Sequence, residues 1–574
     1  MPEPNNAKKL SYSNKEWMLP KPVPPAVKDA LQEYPALIQQ ILYNRGYEDA
    51  ASAEQFLHDE GEILDPYLLS DIPKAVERIE QAIQTHQKMV VYGDFDVDGI
   101  TGTALLTQAL LELGAEVQPY IPDRFAEGYG LNMDAMRNLA ELGTQVLVTV
   151  DCGIRSSEEV RLAQELRMDV ILTDHHLPGE STPPAIAVIC QKKDDEIYPN
   201  FHIAGVGLAY KLVMALFQRV EKSREDIEKY LDLVALGTVA DVVPLVGENR
   251  TFVKKGLEKI HEGKRPGLRA LIAESGIASP AEVSAEHIGF RIGPRLNAAG
   301  RLDSAMLAWK LLTTSDADEA MVLAATLNNL NVERRGETES AYAIAIRDPN
   351  IQREKRIIFT VNPEFHEGIV GLVASKLCDE YYLPAIVGTN HNGLIRASCR
   401  SIPEFHITQA LDRCADLLVQ YGGHSMAAGL TVEKENLEAL KENLSQIALE
   451  TVDWESVTSK AWLDGEVQGT DVNGKIPNIM RALEAFEPTG EGNRKPLLFM
   501  RGLKVEEKRQ VGTAKNHLKL KLRDGYVLWD AIAFRMGDVY DFLDSYVDVA
   551  FHYAVNDFNG GIQLVVRDMR PASD

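Results

Sequence analysis

Three times between Met89 and His176 a short apolar run ends on a carboxylate. Met89-Val90-Val91-Tyr92 leads into Asp94-Phe95-Asp96-Val97-Asp98-Gly99, Val146–Val150 into Asp151-Cys152-Gly153, and Val170–Thr173 into Asp174-His175-His176. Runs this short, bounded by turn residues, read as buried strands. Helical periodicity separates them over Gly99–Leu113 and Ser156–Arg167, and Val117–Ile121 and Ala185–Ile189 read as further strands. Strands alternating with helices give βαβ units, hence a parallel sheet covered on both faces. In such a sheet the crevice beyond the carboxyl ends of the strands is where ligands bind. The three motifs therefore converge on one place.

At 574 residues the chain exceeds what one hydrophobic core supports. We divide it into a helical segment (1–80), an α/β lobe (81–314), a connecting helix (315–347), a second α/β lobe (348–454) and a β-rich domain (455–574). The connector follows from the uninterrupted helical pattern between Ser315 and Arg347. The second lobe has strands near Arg356–Val361, Ala385–Val387 and Leu394–Cys399. The last domain is expected to be a small barrel, on the alternation His517-Leu518-Lys519-Leu520-Lys521-Leu522-Arg523. No apolar stretch approaches the ~20 residues that span a bilayer, and Met1–Leu10 lacks the apolar core of a secretory signal. The five cysteines are scattered and form no C-x-x-C pair, which argues for a reducing compartment and against structural zinc. The chain is read as cytoplasmic. Its net charge of −25 opposes non-specific coating of polyphosphate, so any nucleic-acid site must be locally basic or carry cations.

In extended backbone Asp94, Asp96 and Asp98 project to one side. Three carboxylates that close repel one another unless a cation neutralises them. Oxygen ligands with imidazole suit manganese, magnesium or zinc. An EF-hand loop also begins Asp-x-Asp-x-Asp-Gly, but it needs Glu at loop position 12, where this chain has Leu105, and a helix where it has a strand. A solvated acidic turn would account for the first motif alone, a helix cap for Asp151 alone, and a structural role for the His pair alone. Their coincidence at three strand ends argues against all three.

Asp174-His175-His176, the acidic turn and Asp151 resemble the motifs of the DHH phosphoesterase superfamily, and more closely its single-strand DNA exonuclease branch. Leu236–Pro244 resembles that branch's fourth motif, and Gly293-Pro294-Arg295-Leu296-Asn297-Ala298-Ala299-Gly300-Arg301 the segment before its linker. Phe365–Gly371 and Gly422-Gly423-His424 resemble its DHH-associated lobe. The resemblance implies two α/β lobes joined by a long helix, then an OB-fold-like domain. It implies two divalent ions, Mn2+ or Mg2+, on Asp96, Asp98, Asp151, His175 and Asp241, with Asp151 bridging and Asp94 and His176 beside them in catalytic roles. The pyrophosphatase branch has a histidine ligand where this chain has Tyr92.

The expected reaction is 5′-to-3′ hydrolysis of single-stranded DNA to 5′-mononucleotides, in recombination and repair. Arg124 resembles the family's 5′-phosphate-binding residue, against the plainer reading of a surface ion pair, and Tyr129 offers a stacking face. Arg295 and Arg301 join the expected substrate contacts, as do Ser398, Arg400, Gly422, Gly423 and His424. Arg396, Ser398 and Arg400 alternate along one strand and so share a face. The basic side of His517–Arg523 suits a groove that tracks single-stranded backbone, while Trp462, Trp529 and Phe551 are assigned to the core. Single-strand binding protein and a helicase are partners that the resemblance implies; a monomer with no membrane association is expected. Two other readings compete. A relative acting on short RNA or cyclic dinucleotides would lack the preamble and the β-rich tail. A non-catalytic replication scaffold would have lost metal ligands that are intact here.

Overall fold

The computed structural model describes residues 10–58, 61–348, 353–468, 476–556 and 560–572, and Met1–Lys9 of the polar N-terminal stretch lies outside them. The three apolar runs form strands Lys88–Gly93, Val146–Val150 and Asp169–Thr173. With Glu116–Tyr120 and Ala187–Ile189 they make a five-stranded, wholly parallel sheet in the order 116–120, 88–93, 146–150, 169–173, 187–189. Every residue of Val146–Val150 is buried, as expected of a strand covered on both faces. The chain leaves Lys88–Gly93 in one direction to reach 116–120 and returns on its other side to 146–150. That switch of direction opens the crevice at the carboxyl ends.

A second sheet carries Leu418–Gly423, Ala427–Glu433, Leu394–Arg400, Ala385–His391 and Ile358–Val361 in that order, antiparallel apart from its last pair. The 29-residue helix Ala317–Ala345 links the lobes, about 44 Å long at 1.5 Å per residue. Asp316 caps it by accepting from the Asp318 and Glu319 amides.

Strands Leu498–Val511, His517–Asp524, Val527–Ala533, Ile562–Pro571 and Tyr546–Val555 close into a barrel, because the first also pairs with the last. Closure removes the exposed edges an open sheet would leave. Leu518, Leu520 and Leu522 fill the barrel, and His517, Lys519, Lys521 and Arg523 face outward, half-buried. Trp529 and Phe551 lie in the core as assigned. Trp462 does not: it is 53% exposed.

The N-terminal helices pack where the sequence offers no hint. Val27, Leu31, Ile38, Ile41 and Leu42 share a core with Phe486 and with Leu498 and Phe551 of the barrel, more than 400 residues away. Strand Glu16–Met18 pairs in parallel with Lys460–Trp462, and Trp17 donates its indole N–H to Asp568 at 2.7 Å. All five cysteines are free and buried. Among the described residues no helix is long and apolar enough to cross a membrane.

Candidate metal centre

Backbone hydrogen bonds align the acidic row. The Asp94 amide donates to Val150 O, Asp151 to Thr173 O and Asp174 to Ile189 O, so the ladder runs one residue past each strand. Side chains at these positions emerge together. The extended reading of Asp94-x-Asp96-x-Asp98 needs correcting, however. The strand ends at Gly93 and a helix starts at Val97, with the Asp96 carboxylate capping it by accepting from the Asp98 and Gly99 amides. The three carboxylates therefore do not line one face. Asp94 and Asp96 approach Asp151, whereas Asp98 turns with the helix toward His175 and Asp241.

The result is overlapping groups of ligand atoms: Asp94, Asp96 and Asp151; Asp98, His175 and Asp241; and Asp151, His175 and His176. His175 Nε2 lies 3.1 Å from Asp151 Oδ1, 3.5 Å from Asp241 Oδ2 and 3.9 Å from Asp98 Oδ2. Asp151 has a φ of +63°, a conformation Asp tolerates better than most residues, and does not cap the following helix; Ser156 precedes that helix instead. A Cβ at Gly205 would stand 2.7 Å from Asp151 Cβ, so only glycine lets this helix start so close to the acid. The same helix start binds Asp98, whose oxygens accept from the Gly205 and Val206 amides at 2.6 and 2.8 Å.

Five buried polar atoms here have no hydrogen-bond partner: Asp94 Oδ1, Asp151 Oδ1, Asp241 Oδ2 and both ring nitrogens of His175. Each such atom costs about 1–3 kcal/mol if left so. Burial, and then repulsion from neighbouring carboxylates, drives the carboxyl groups of Asp94, Asp151 and Asp241 well above their usual range. For Asp98 the same causes reach about 7. Burial brings His175 down to about 3, leaving it neutral and able to ligate. Oxygen and imidazole donors, unpaired and mutually repelling, fit divalent cations. Tyr92 contributes nothing to them: fully buried, it donates to Gly130 O at 2.9 Å.

Asp174, which carries no separate role in the sequence reading, orients the second histidine. Its Oδ1 lies 2.8 Å from His176 Nδ1 and accepts the His176 amide, and its Oδ2 accepts the Ile154 amide. Burial opposes charge on His176, but Asp174 and then Asp96 and Asp98 outweigh it and raise its pKa. The Tyr129 hydroxyl sits 3.1 Å from the same nitrogen, which ties that ring to the acidic row as well as exposing a face.

The expected substrate contacts divide. Arg124 lies over the Phe95 ring at 4.7 Å, and Arg301 donates to Gly368 O of the second lobe. Arg400 donates to Ser398 Oγ and Cys399 O. Burial, and then repulsion from Arg124, Arg334 and Arg400, lowers Arg301 to about 9. Among the described residues no carboxylate closes an ion pair with any of these four arginines, so Arg124 is not the surface ion pair of the plainer reading. Arg334, in mid-connector, escapes sequence analysis because nothing in a run of helical charges marks one as inward-facing. Lys192 escapes it too, although it sits by Asp241, Asp174 and Asp151.

His424 reaches the centre from the second lobe, where burial and the proximity of His176, Arg155 and Lys192 lower its pKa. Gly423 has φ +151°, and a Cβ there would strike Ala427 O; Gly422 faces open space. Two residues stand apart. Arg295 is held by Asn328 Oδ1 and the carbonyls of Arg291 and Glu274. Arg396, although on the face of Ser398 and Arg400, pairs with Glu367 at 3.2 Å.

Residues 88–238 match the DHH family, N-terminal domain, residues 354–450 the DHHA1 domain and residues 463–568 the RecJ OB domain. The single-stranded-DNA-specific exonuclease RecJ of Dickeya dadantii (strain 3937) is 35% identical over 96% of this chain and 98% of its own. The chain belongs to the RecJ family. RecJ of Bacillus subtilis (strain 168) is likewise 35% identical, over 97% of this chain and 71% of its own. The crystal structure of RecJ in complex with Mn2+ from Thermus thermophilus superposes with a TM-score of 0.84 at 32% identity, over 98% of this chain and 80% of that one. The Mg2+ complex of the same RecJ gives 0.78 at 30%, over 98% and 79%. Two lobes, a long connecting helix and a closed barrel are thus the architecture that the sequence leads one to expect.

Proposed function

We propose that this chain is a metal-dependent, single-stranded-DNA-specific exonuclease that works 5′ to 3′, releases 5′-mononucleotides and serves DNA recombination and repair. The observation that carries the proposal is the juxtaposition, in one crevice, of unpaired buried ligand atoms with four arginines that close no ion pair with a carboxylate among the described residues. Anion and cation sites side by side suit a phosphodiester. Family membership supports the choice of DNA.

Two divalent cations, Mn2+ or Mg2+, would be held by Asp96, Asp98, Asp151, His175 and Asp241, with Asp94 beside them, and would supply positive charge and acidify water. The protein's own groups do the positioning. Arg124, Arg301 and Arg400, joined by Arg334, bind the terminal phosphate; a planar guanidinium bonds phosphate oxygens in pairs. His176, whose pKa Asp174 raises, stands beside the ligand row and takes the role of general acid. His424, with the backbone beside Gly422 and Gly423, closes the crevice from the second lobe. The outward basic side of His517–Asp524 follows the strand's backbone.

The test uses single-stranded and duplex DNA labelled at either end, with manganese, magnesium or EDTA. Early release of 5′-labelled mononucleotide from single strands alone, abolished by EDTA, is the expected result. Intact DNA alongside cleavage of a dinucleotide or cyclic dinucleotide would transfer the site to a different substrate.

A further inference from the structure

We infer that Tyr92 is a positioning residue for the terminal-phosphate site: its buried hydroxyl pins the loop that carries Arg124, and so fixes where the phosphate sits relative to the acidic row. The inference rests on the reading above that Arg124 binds a terminal phosphate. Tyr92 is fully buried near the end of strand Lys88–Gly93, two residues before Asp94. Its ring stacks on that of Tyr120, its register partner on the neighbouring strand, with centroids 5.0 Å apart. Its hydroxyl donates to Gly130 O at 2.9 Å and lies 3.4 Å from Asn132 Nδ2.

Residues 121–131 join strand Glu116–Tyr120 to helix Met133–Glu141. Packing does little to hold them, because no residue from Asp123 to Tyr129 is buried. Hydrogen bonds hold the loop instead, at two points. At the first, the Glu127 carboxylate accepts from the Asp123 amide, the Tyr120 hydroxyl and Asn132 Nδ2, which closes residues 123–127 on themselves. At the second, Tyr92 holds the Gly130 carbonyl. Asn132 touches both points, and its own Oδ1 accepts the Ala135 amide and caps the helix that follows.

The clamped loop faces the reacting centre. Arg124 lies over the Phe95 ring, and Tyr129, the residue before Gly130, places its hydroxyl 3.1 Å from His176 Nδ1. Tyr92 and Asp94 leave the same strand end, so acid and loop share one support. A shift of that strand carries both together and leaves their separation unchanged. Positioning in such sites is sensitive: a displacement of about 1 Å can cost on the order of 100-fold in rate. Packing alone would need only the ring, and a phenylalanine would supply it. The hydroxyl, directed at a loop carbonyl, is what a packing role leaves unexplained.

The experiment compares the full-length protein with Tyr92→Phe, which keeps the stacked ring and removes the hydroxyl. With manganese present, kcat and KM are measured on single strands bearing a 5′-phosphate or a 5′-hydroxyl. The preference for 5′-phosphate is expected to fall about 3- to 10-fold, the range one lost hydrogen bond spans, chiefly through KM. Hydrogen exchange read by mass spectrometry should quicken over residues 121–132 and not over Val146–Val150, and the manganese-induced rise in Tm should be kept. An unchanged preference, where the parent favours 5′-phosphate, would overturn the assignment, as would unchanged exchange in the loop. So would an equal loss on both substrates or a lost manganese shift, which would make Tyr92 a general support of the fold or of the acidic row. A parent indifferent to the 5′-phosphate would instead refute the reading of Arg124 on which the inference rests, and exchange in the loop would then decide alone whether Tyr92 anchors it.

Discussion

Asp151→Asn is the perturbation that separates a metal centre from a merely acidic pocket. The amide is nearly isosteric and tolerates the φ of +63° that Asp151 adopts, so the backbone is not put under strain. It removes one charge from a crowd in which Asp98, Asp96, Asp241 and Asp94 all raise the Asp151 pKa. In EDTA the variant should unfold at or above the temperature of the parent. A cation at a hundred times its dissociation constant stabilises a site that only the native state forms by about 2.7 kcal/mol. For a lobe of this size that is a rise of about 5–11 °C in Tm. Asp151 shares two of the three ligand groups, so the variant should lose most of that rise. Differential scanning calorimetry with 1 mM manganese (a concentration set by the experiment) against EDTA, at about pH 8, reads both effects. Turnover should vanish while single-strand binding through the arginines persists. A variant that keeps the full manganese shift, or normal turnover, refutes the reasoning.

A carboxyl held at about 7, as Asp98 is, keeps its proton up to neutrality, whereas the unfolded chain releases it near 3.8. The metal-free protein should therefore lose stability as pH rises through that window, by at most about 4 kcal/mol from this group. Manganese affinity should climb over the same window, with proton release visible by calorimetry in buffers of different ionisation enthalpy; a pH-independent affinity would contradict it. Arg400→Ala should raise KM for 5′-phosphorylated single strands about tenfold or more, with little effect on 5′-hydroxyl strands, in steady-state assays on the two substrates. Arg250 donates to the carbonyls of Phe486, Pro488 and Ala485 across the barrel junction. Arg250→Met should cost on the order of 3 kcal/mol and split the calorimetric unfolding into two transitions. Gly205→Ala, which drives a methyl into Asp151, should abolish metal-induced stabilisation with little loss of secondary structure by circular dichroism.

Much of this is legible in the sequence because burial on both faces leaves a plain signature. The strands before Asp94, Asp151 and Asp174 are continuous apolar runs, and sheet topology dictates where their ends meet. The turn at Asp96 misleads because period two in carboxylates looks like a strand, although an Asp ahead of Gly-x-Thr residues is also a helix start. Arg295 groups with Arg301 in the sequence because both lie in one segment, yet six residues along the helix put them on different neighbours. The packing of the N-terminal helices on the barrel has no local signal, since an amphipathic face states that something covers it and not what.

The crevice arginines resolve the tension between a net charge of −25 and a polyanionic substrate. Outside the crevice many basic side chains are engaged by carboxylates: Lys211 by buried Glu248, Arg265 by Asp232, Arg570 by Asp548, and Lys222 and Lys229 by Glu112. Paired charges contribute little field at a distance. In the crevice Arg124, Arg301, Arg334 and Arg400 close no ion pair with a carboxylate among the described residues and lie in partial burial, where screening is weak. The desolvation that lowers their pKa values is the cost of holding them there, and a phosphate would relieve it by supplying a partner. The carboxylate row beside them bears the mirror-image cost, and a cation would relieve it. Both costs would be relieved together only where a phosphate and cations sit side by side, and binding there should require a free end that can enter between the lobes.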